Sequence, residues 1–284
     1  MHEEVIMKNR DLAYCERVIK QHSKSFYYAF SQLPKQDRLA VYAIYAFCRM
    51  CDDAVDEEQG SIDQIQRELD HFKRGKVVDH PVWRALAWVH ERYEINTDFY
   101  DEQIEGQRMD LMFKQPETFE TLVSYCEKVA ASVGGMLLPI LSYEVDAQRY
   151  AQARRLGVAM QLTNILRDVG EDYRDLQRIY LPRQMMTHYG VTETQIAQEQ
   201  VTNGFKQLFE ALAAEAETRY KQFRDELSHY KREARLPVCL SATVYGEILN
   251  VIREHHYDSL SQRHVVPRSR KQALYRKEKH KVGG

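Results

Sequence analysis

Apolar residues return every three to four positions along most of this chain, and little interrupts them. Its 284 residues include only 12 glycines and 7 prolines, and no alternating run is bounded by an Asn-Gly or Asp-Gly turn. A backbone without breakers or hairpin signals satisfies its own hydrogen bonds most simply as helix, so the expected fold class is all-α. The periodicity predicts helices over residues 12–20, 36–57, 62–74, 81–93, 98–111, 118–141, 146–172, 204–230 and 238–257. The breaks, including "KRGKVVDHP", "FKQPET" and "LQRIYLPRQ", are connectors rather than Ser/Gly-rich linkers. Residues 1–284 are therefore read as a single domain, with no repeat of fixed period.

The formal net charge of -2 creates no global field for nucleic acid, and none is expected as a partner. The segment "RHVVPRSRKQALYRKEKHKV" is locally basic, which suits either a solvated end or a phosphate-facing one. Cys15, Cys48, Cys51, Cys126 and Cys239 sit mostly among apolar neighbours, as reduced thiols do in a cytosolic protein. Cys48-x-x-Cys51 lacks a second pair, and one helical turn explains it without zinc or redox chemistry. The opening "MHEEVIMKNRDLAYCERV" has no secretory h-region, and no apolar run approaches the ~18 residues of a membrane span. A cytoplasmic protein is expected.

Two of the expected helices carry polar stripes. In "LAVYAIYAFCRMCDDAVDE" an apolar helix runs into acids, which oppose the dipole at a helix's C-terminal end. If the helix continues through Asp56, a turn of about 100° per residue puts Tyr45, Arg49, Asp52 and Asp56 on one stripe, with Tyr42 beside it. Ala43, Phe47, Met50 and Ala54 lie opposite, and Asp53 falls about 100° from Asp52. In "QLTNILRDVGED", Gln161, Asn164, Asp168, Glu171 and Asp172 share a face while Leu162, Leu166 and Val169 project elsewhere. Aspartates at i and i+4 repel, more strongly when buried, unless a cation lies between them. Oxygen donors without thiolate or imidazole suit Mg²⁺ rather than zinc. Because Mg²⁺ completes its shell with water and phosphate, two such stripes facing each other would hold a diphosphate between metal ions. The same spacing also arises on solvated faces, and Arg49, Arg167 and the amides of Gln161 and Asn164 favour the first reading only modestly. A third cluster, "KQHSKSFYYAF", groups His22, Ser23, Lys24 and Ser25, which form either an anion-binding lip or a capped helix entry.

Together these segments resemble the squalene/phytoene synthase family, the head-to-head prenyl transferases. The matching stretches are "HSKSF" at 22–26, "AVYAIYAFCRMCDDAVD" at 40–56, "EGQRMDL" at 105–111, "YCEKVAASVG" at 125–134 and "RRLGVAMQLTNILRDVGEDYRDLQRIYLP" at 154–182. The opening motif and compact length look most like the bacterial dehydrosqualene (diapophytoene) synthases, which join two C15 farnesyl diphosphates. "IEGQRMDL" looks instead like phytoene synthases, which join two C20 chains. The C15 type commonly reads Tyr-Gly-Val-Ala-Gly-Thr where this chain has Glu127, Lys128, Val129, Ala130, Ala131 and Ser132. Glu127 and Lys128 are expected to face away from lipid, and Ala131 adds a methyl where helices or isoprenoid tails approach.

The resemblance implies an α-helical isoprenoid synthase bundle surrounding a central cavity, with the two Asp-rich helices on opposite walls. Asp52 and Asp56 would hold Mg²⁺ on one wall, and Asn164, Asp168 and Asp172 on the other, with several ions bridging the diphosphates. Tyr45 and Arg49 are placed near the first diphosphate, with His22, Lys24 and Ser25 at its lip and Gln161 and Arg167 opposite. Tyr245, Arg263 and Lys271 resemble C-terminal diphosphate contacts, and Phe26, Val129, Val133, Gly134 and Leu137 line the prenyl channel. The implied reaction joins two prenyl diphosphates through a cyclopropylcarbinyl diphosphate to a conjugated triene, as in carotenoid biosynthesis. Its cations need an apolar wall with π faces, for which 18 Tyr and 10 Phe offer candidates. No dinucleotide glycine fingerprint or apolar tail is present, so NADPH is not expected. A lipid product implies peripheral contact with the inner membrane face, while oligomeric state is left open. Three rivals stand beside this reading. Glu68-x-x-His71 and Glu226-x-x-His229 have di-iron bundle spacing, although each lies in a charged, solvated-looking segment. A prenyl diphosphatase would capture the cation with water, and a non-enzymatic scaffold would be indifferent to Asp52→Ala and Asp168→Ala.

Overall fold

The computed structural model describes residues 2–56, 61–76 and 78–282, and the side chains of all of these but 2–8 and 56. The helices in chain order are α1 (His2–His22), α2 (Lys24–Phe30), α3 (Lys35–Asp56), α4 (Ile62–Lys73), α5 (Pro81–His90), α6 (Asp98–Leu111) and α7 (Phe119–Cys126). After them come α8 (Ser132–Leu141), α9 (Ala147–Leu176), α10 (Arg183–Tyr189), α11 (Glu193–Ala197), α12 (Asn203–Asp225), α13 (Arg232–Glu254) and α14 (Arg268–Val282). Among the described residues there is no strand, only an isolated bridge between Ser142 and Tyr230. No helix among them is long and apolar enough to cross a membrane.

Local chemistry sets many of the boundaries. Thr118, Asp146 and Thr202 cap α7, α9 and α12 through their side-chain oxygens, and Thr192 forms a full capping box with Gln195 on α11. Pro81 opens α5 at a position where its missing N–H is not needed. α9 has 30 residues, or about 45 Å, and ends on Gln177 in the left-handed region at φ 54°.

α9 packs on α8, α12 and α13, whereas α3 packs on α1, α5, α6 and α8. The two Asp-rich helices are joined by α8, which packs on both, while α6 packs on α3 and α13 packs on α9 and α2. At Gly157 of α9 an added Cβ would stand 2.5 Å from the Ala130 carbonyl oxygen, so helices pass there at backbone contact.

Several spans depart from the sequence expectation for identifiable reasons. Residues 118–141 are not one α-helix, because a π-helical turn at Glu127–Ala131 separates α7 from α8. α12 stops at Asp225, and a 3₁₀ turn at Leu227–His229 follows it. α13 starts at Arg232, six residues before the expected start, and carries Pro237 inside at the loss of one ladder bond. The short α2, α10 and α11 and the polar α14 had no apolar stripe long enough to predict them. Glu57, the expected end of α3, lies outside the described residues.

Candidate active site

A cavity of about 880 Å³ opens between α2, α3, α6, the π-turn, α8, α9, α13 and the start of α14. Its lining is segregated along the helices. The earlier part of α3 contributes Val41 and Ile44 and the later part Tyr45, Arg49 and Asp52, while α9 changes from Leu156 and Met160 to Gln161, Asn164, Asp168 and Asp172. Val133, Gly134 and Leu137 of α8, and Val129 of the π-turn, add to the apolar part.

On the first wall, Asp52 accepts a hydrogen bond from Gln107 Nε2 at 2.5 Å. Arg49 pairs with Asp53, the acid set about 100° off the stripe, and its Nε is buried without a hydrogen-bond partner. Burial, and then the neighbouring Tyr245 and Asp52, push the Tyr45 hydroxyl well above the ordinary phenol range. The Asp56 side chain lies outside the described residues.

On the second wall, Arg167 grips Asp168 with two bonds, Nε to Oδ1 at 2.7 Å and Nη2 to Oδ2 at 2.5 Å. Arg263 reaches the same carboxylate at 3.1 Å and Glu171 at 3.4 Å. Burial, then the charges of Asp168, Glu171 and Asp110, push the Asp172 carboxyl up to about 7. Asn164 donates to Gln161 Oε1 at 3.3 Å, and its own Oδ1 is buried without a partner. A crowd of acids beside an orphaned amide oxygen suits a hard cation. Among the described residues no three His, Cys, Asp or Glu converge as a ready-made cage. The donors thus fit an ion such as Mg²⁺, which takes one or two carboxylates and fills its shell from water and substrate.

The third cluster borders the same cavity. His22, Lys24, Ser25 and Phe26 all line it, and Ser23 caps the seven-residue α2 by accepting from Phe26 N–H at 3.4 Å. Lys271 of α14 donates to Ser25 Oγ at 2.9 Å, and burial, together with Lys24, pulls its ammonium below the ordinary range. Phe26 meets Tyr245 edge to face, with centroids 5.5 Å apart. The segment beyond α13 is therefore a wall of the cavity, with Arg263 and Lys271 both facing it.

One wall was missed from the sequence. α6 presents Gln103, Gln107 and Asp110 at i, i+4 and i+7, the same periodic signal as in α3 and α9. Asp110 is buried and accepts hydroxyls from Tyr125 at 2.9 Å and Tyr180 at 2.8 Å, while Arg178 donates to its carbonyl at 2.9 Å. Ala131 is fully buried with its Cα against the Gly157 position of α9, and it does not line the cavity. Lys128 pairs with Glu105 at 2.6 Å, and Glu127 is exposed, both away from the cavity as expected. The di-iron pairs are not brought together. Glu68 of α4 accepts from Trp83 Nε1 at 2.7 Å, whereas Glu226 and His229 bond to each other at the end of α12. Cys48 and Cys51 are buried thiols that burial pushes up, in the manner of core residues.

The chain is similar to known proteins over nearly its whole length. The family model described as squalene/phytoene synthase matches residues 19–271. The chain is 35% identical over 275 residues to a 4,4'-diapophytoene synthase of Staphylococcus haemolyticus, covering 94% of this chain and 96% of that one. It is 33% identical over 274 residues to a 15-cis-phytoene synthase of Synechococcus elongatus, covering 90% and 88% of the two chains. A crystal structure of a dehydrosqualene synthase in complex with ligand superimposes with a TM-score of 0.94 at 42% identity, covering 99% of both chains.

Proposed function

The chain belongs to the squalene/phytoene synthase family, and from that premise we propose that it joins two farnesyl diphosphates head to head, by way of presqualene diphosphate, into the C30 triene dehydrosqualene. One observation carries the choice of chain length: the structure that superimposes with a TM-score of 0.94 at 42% identity over 99% of both chains is a dehydrosqualene synthase.

In this reading the polar part of the cavity receives the diphosphates and the apolar part receives the tails. Arg49, with a buried Nε free of hydrogen bonds, and Lys271, Lys24 and His22 at the lip, stabilise charge on the departing diphosphate. Mg²⁺, bound by Asp52 and Asp56 on one side and by Asn164, Asp168 and Asp172 on the other, would supply Lewis-acid neutralisation of the same leaving group. Gln107 fixes the Asp52 carboxylate, and Arg167 with Arg263 fixes that of Asp168. Tyr45, Tyr245 and Phe26 present π faces to the allylic cation, and the apolar walls keep water from it. Each half of the reaction releases one diphosphate and one proton, so the triene forms without a reductant such as NADPH. The product leaves past Leu176 and Val265, which line the cavity and are 42% and 66% exposed, onto a membrane face. Co-sedimentation with lipid vesicles tests that last step.

The decisive experiment incubates the protein with Mg²⁺ and either farnesyl or geranylgeranyl diphosphate, with and without NADPH, and weighs the extracted hydrocarbon. A C30 triene formed from farnesyl diphosphate without NADPH is the expected result. Preference for a C40 product would make the chain a phytoene synthase, a reading kept in view by its near-equal likeness to both kinds of enzyme. A prenyl alcohol would remove the condensing role, and undiminished activity of Asp52→Ala or after EDTA would remove the metal assignment.

A further inference from the structure

α14 has a single buried residue, and it is an acid. Glu278 is 2% exposed, and of the helix's apolar side chains only Leu274, Tyr275 and Val282 are even half-buried. The carboxylate sits in a socket built by two other helices. Its Oε1 accepts from Arg224 of α12 at 3.3 Å, and its Oε2 accepts from the Cys239 thiol of α13 at 3.2 Å. The socket is itself braced, since Arg224 donates to Thr243 Oγ1 at 2.6 Å and Thr243 donates to the Cys239 carbonyl at 2.8 Å. Burial alone would raise the Glu278 carboxyl, but the Cys239 thiol and the Arg224 and Lys281 charges bring it below the ordinary carboxylate range. The charged form is thus the one that fits.

Lys271, Leu274, Tyr275 and Glu278 stand at i, i+3, i+4 and i+7, on one face of the helix. About 10.5 Å along the axis separates the two charged ends of that face. One end is buried between α12 and α13, and the other is the ammonium on Ser25 at the cavity. Other ties are the edge contact of Tyr275 with Tyr28 of α2, centroids 6.2 Å apart, and partly exposed ion pairs of small weight from Arg270 to Glu247 and Glu254.

We propose that Glu278 is a positioning residue: seated between Arg224 and Cys239, it locks α14 onto α12 and α13 and so holds Lys271 over the cavity where a substrate diphosphate arrives. The identity of that ligand rests on the proposed function, whereas the docking of α14 does not. The test compares the full-length protein with Glu278→Gln, Arg224→Met, Lys271→Ala and the Glu278→Gln/Lys271→Ala double variant. Two readouts are taken: amide hydrogen exchange, and calorimetric titration with inorganic diphosphate in the presence of Mg²⁺. Loss of a charge-assisted buried bond should speed exchange across α14 by about tenfold or more in both Glu278→Gln and Arg224→Met, leaving α9 unchanged. Diphosphate affinity should fall in Glu278→Gln as far as it does in Lys271→Ala, and no further in the double variant. Unchanged protection of α14 in both socket variants overturns the lock, because Leu274 and Tyr275 then suffice. Unchanged diphosphate affinity in Glu278→Gln, or losses that multiply in the double variant, overturns the positioning role. If the unaltered protein binds no diphosphate, the proposed function fails and the Lys271 half of the inference with it, while exchange still decides the docking.

Discussion

Gly170 lies between Asp168 and Asp172 on α9, where the chain leaving α13 crosses the helix at backbone contact. A Cβ there would stand 1.7 Å from the Leu260 carbonyl oxygen and 2.5 Å from its carbon, so Gly170→Ala forces the 258–263 segment back by roughly 1.5 Å to reach ordinary contact. That retreat breaks the bond from Gly170 N–H to the Ser259 carbonyl at 3.0 Å, worth about 1 kcal/mol. It also partly exposes Leu260, which is fully buried, at a cost of up to ~2 kcal/mol, and disturbs the contact from Arg174 to the Leu260 carbonyl. The helical preference for alanine returns about 1 kcal/mol. The net loss is up to ~2 kcal/mol, which in a chain of this size lowers the melting temperature by up to about 5 °C. Arg263, three residues past Leu260, loses its 3.1 Å contact with Asp168, so diphosphate affinity should fall severalfold as well. Calorimetric melting and diphosphate titration measure both effects. Gly246→Ala is the control, because its Cβ would meet Tyr220 at an ordinary 3.5 Å, and it should be neutral or slightly stabilising. A Gly170→Ala protein that melts within about 1 °C of the unaltered one with undiminished affinity would refute the steric reasoning.

Gln107→Ala removes a hydrogen-bond donor from Asp52 and should lower kcat by roughly tenfold or more with a smaller change in KM; equal activity in steady-state kinetics would show that Asp52 needs no such support. Tyr180→Phe strips one of two tyrosine hydroxyls from the buried Asp110 carboxylate and should cost about 1.5–3 kcal/mol, read as a shift of the urea midpoint. Ala131→Gly should cost about 1 kcal/mol of stability without lengthening the hydrocarbon product, since Ala131 is buried and does not line the cavity; a longer product would show that this position gauges the cavity.

Much of this was legible because the functional side chains break the pattern of apolar helices. α6 runs over Asp98–Leu111 as the periodicity predicts, α3 brings Tyr45, Arg49 and Asp52 onto the cavity, and α9 brings Gln161, Asn164, Asp168 and Asp172 but not Glu171. Gln103, Gln107 and Asp110 gave the same signal more faintly, because two neutral amides among charged neighbours do not stand out. Arg178 and Tyr180 sit in a connector, where no period exists to read. α14 escaped because what it buries is an acid, the opposite of the sign by which a docked helix is recognised. Asp53 looked misplaced beside Asp52 until its partner was visible: it holds Arg49 on the stripe. Close approaches at Gly157 and Gly170 are properties of two segments at once, and no local pattern announces them.

The wide turn at Glu127–Ala131 accommodates one residue more than an α-helix would over the same span. Deleting Glu127 or Lys128, which face away from the cavity, would leave ordinary α-helix over the same span, so α8 would keep its phase and Val133 and Leu137 their places on the cavity. The deletion variant should therefore give the same length distribution of hydrocarbon products, and a changed distribution would count against this geometry. A residue can thus be gained or lost in this turn without moving the side chains that α8 turns to the cavity.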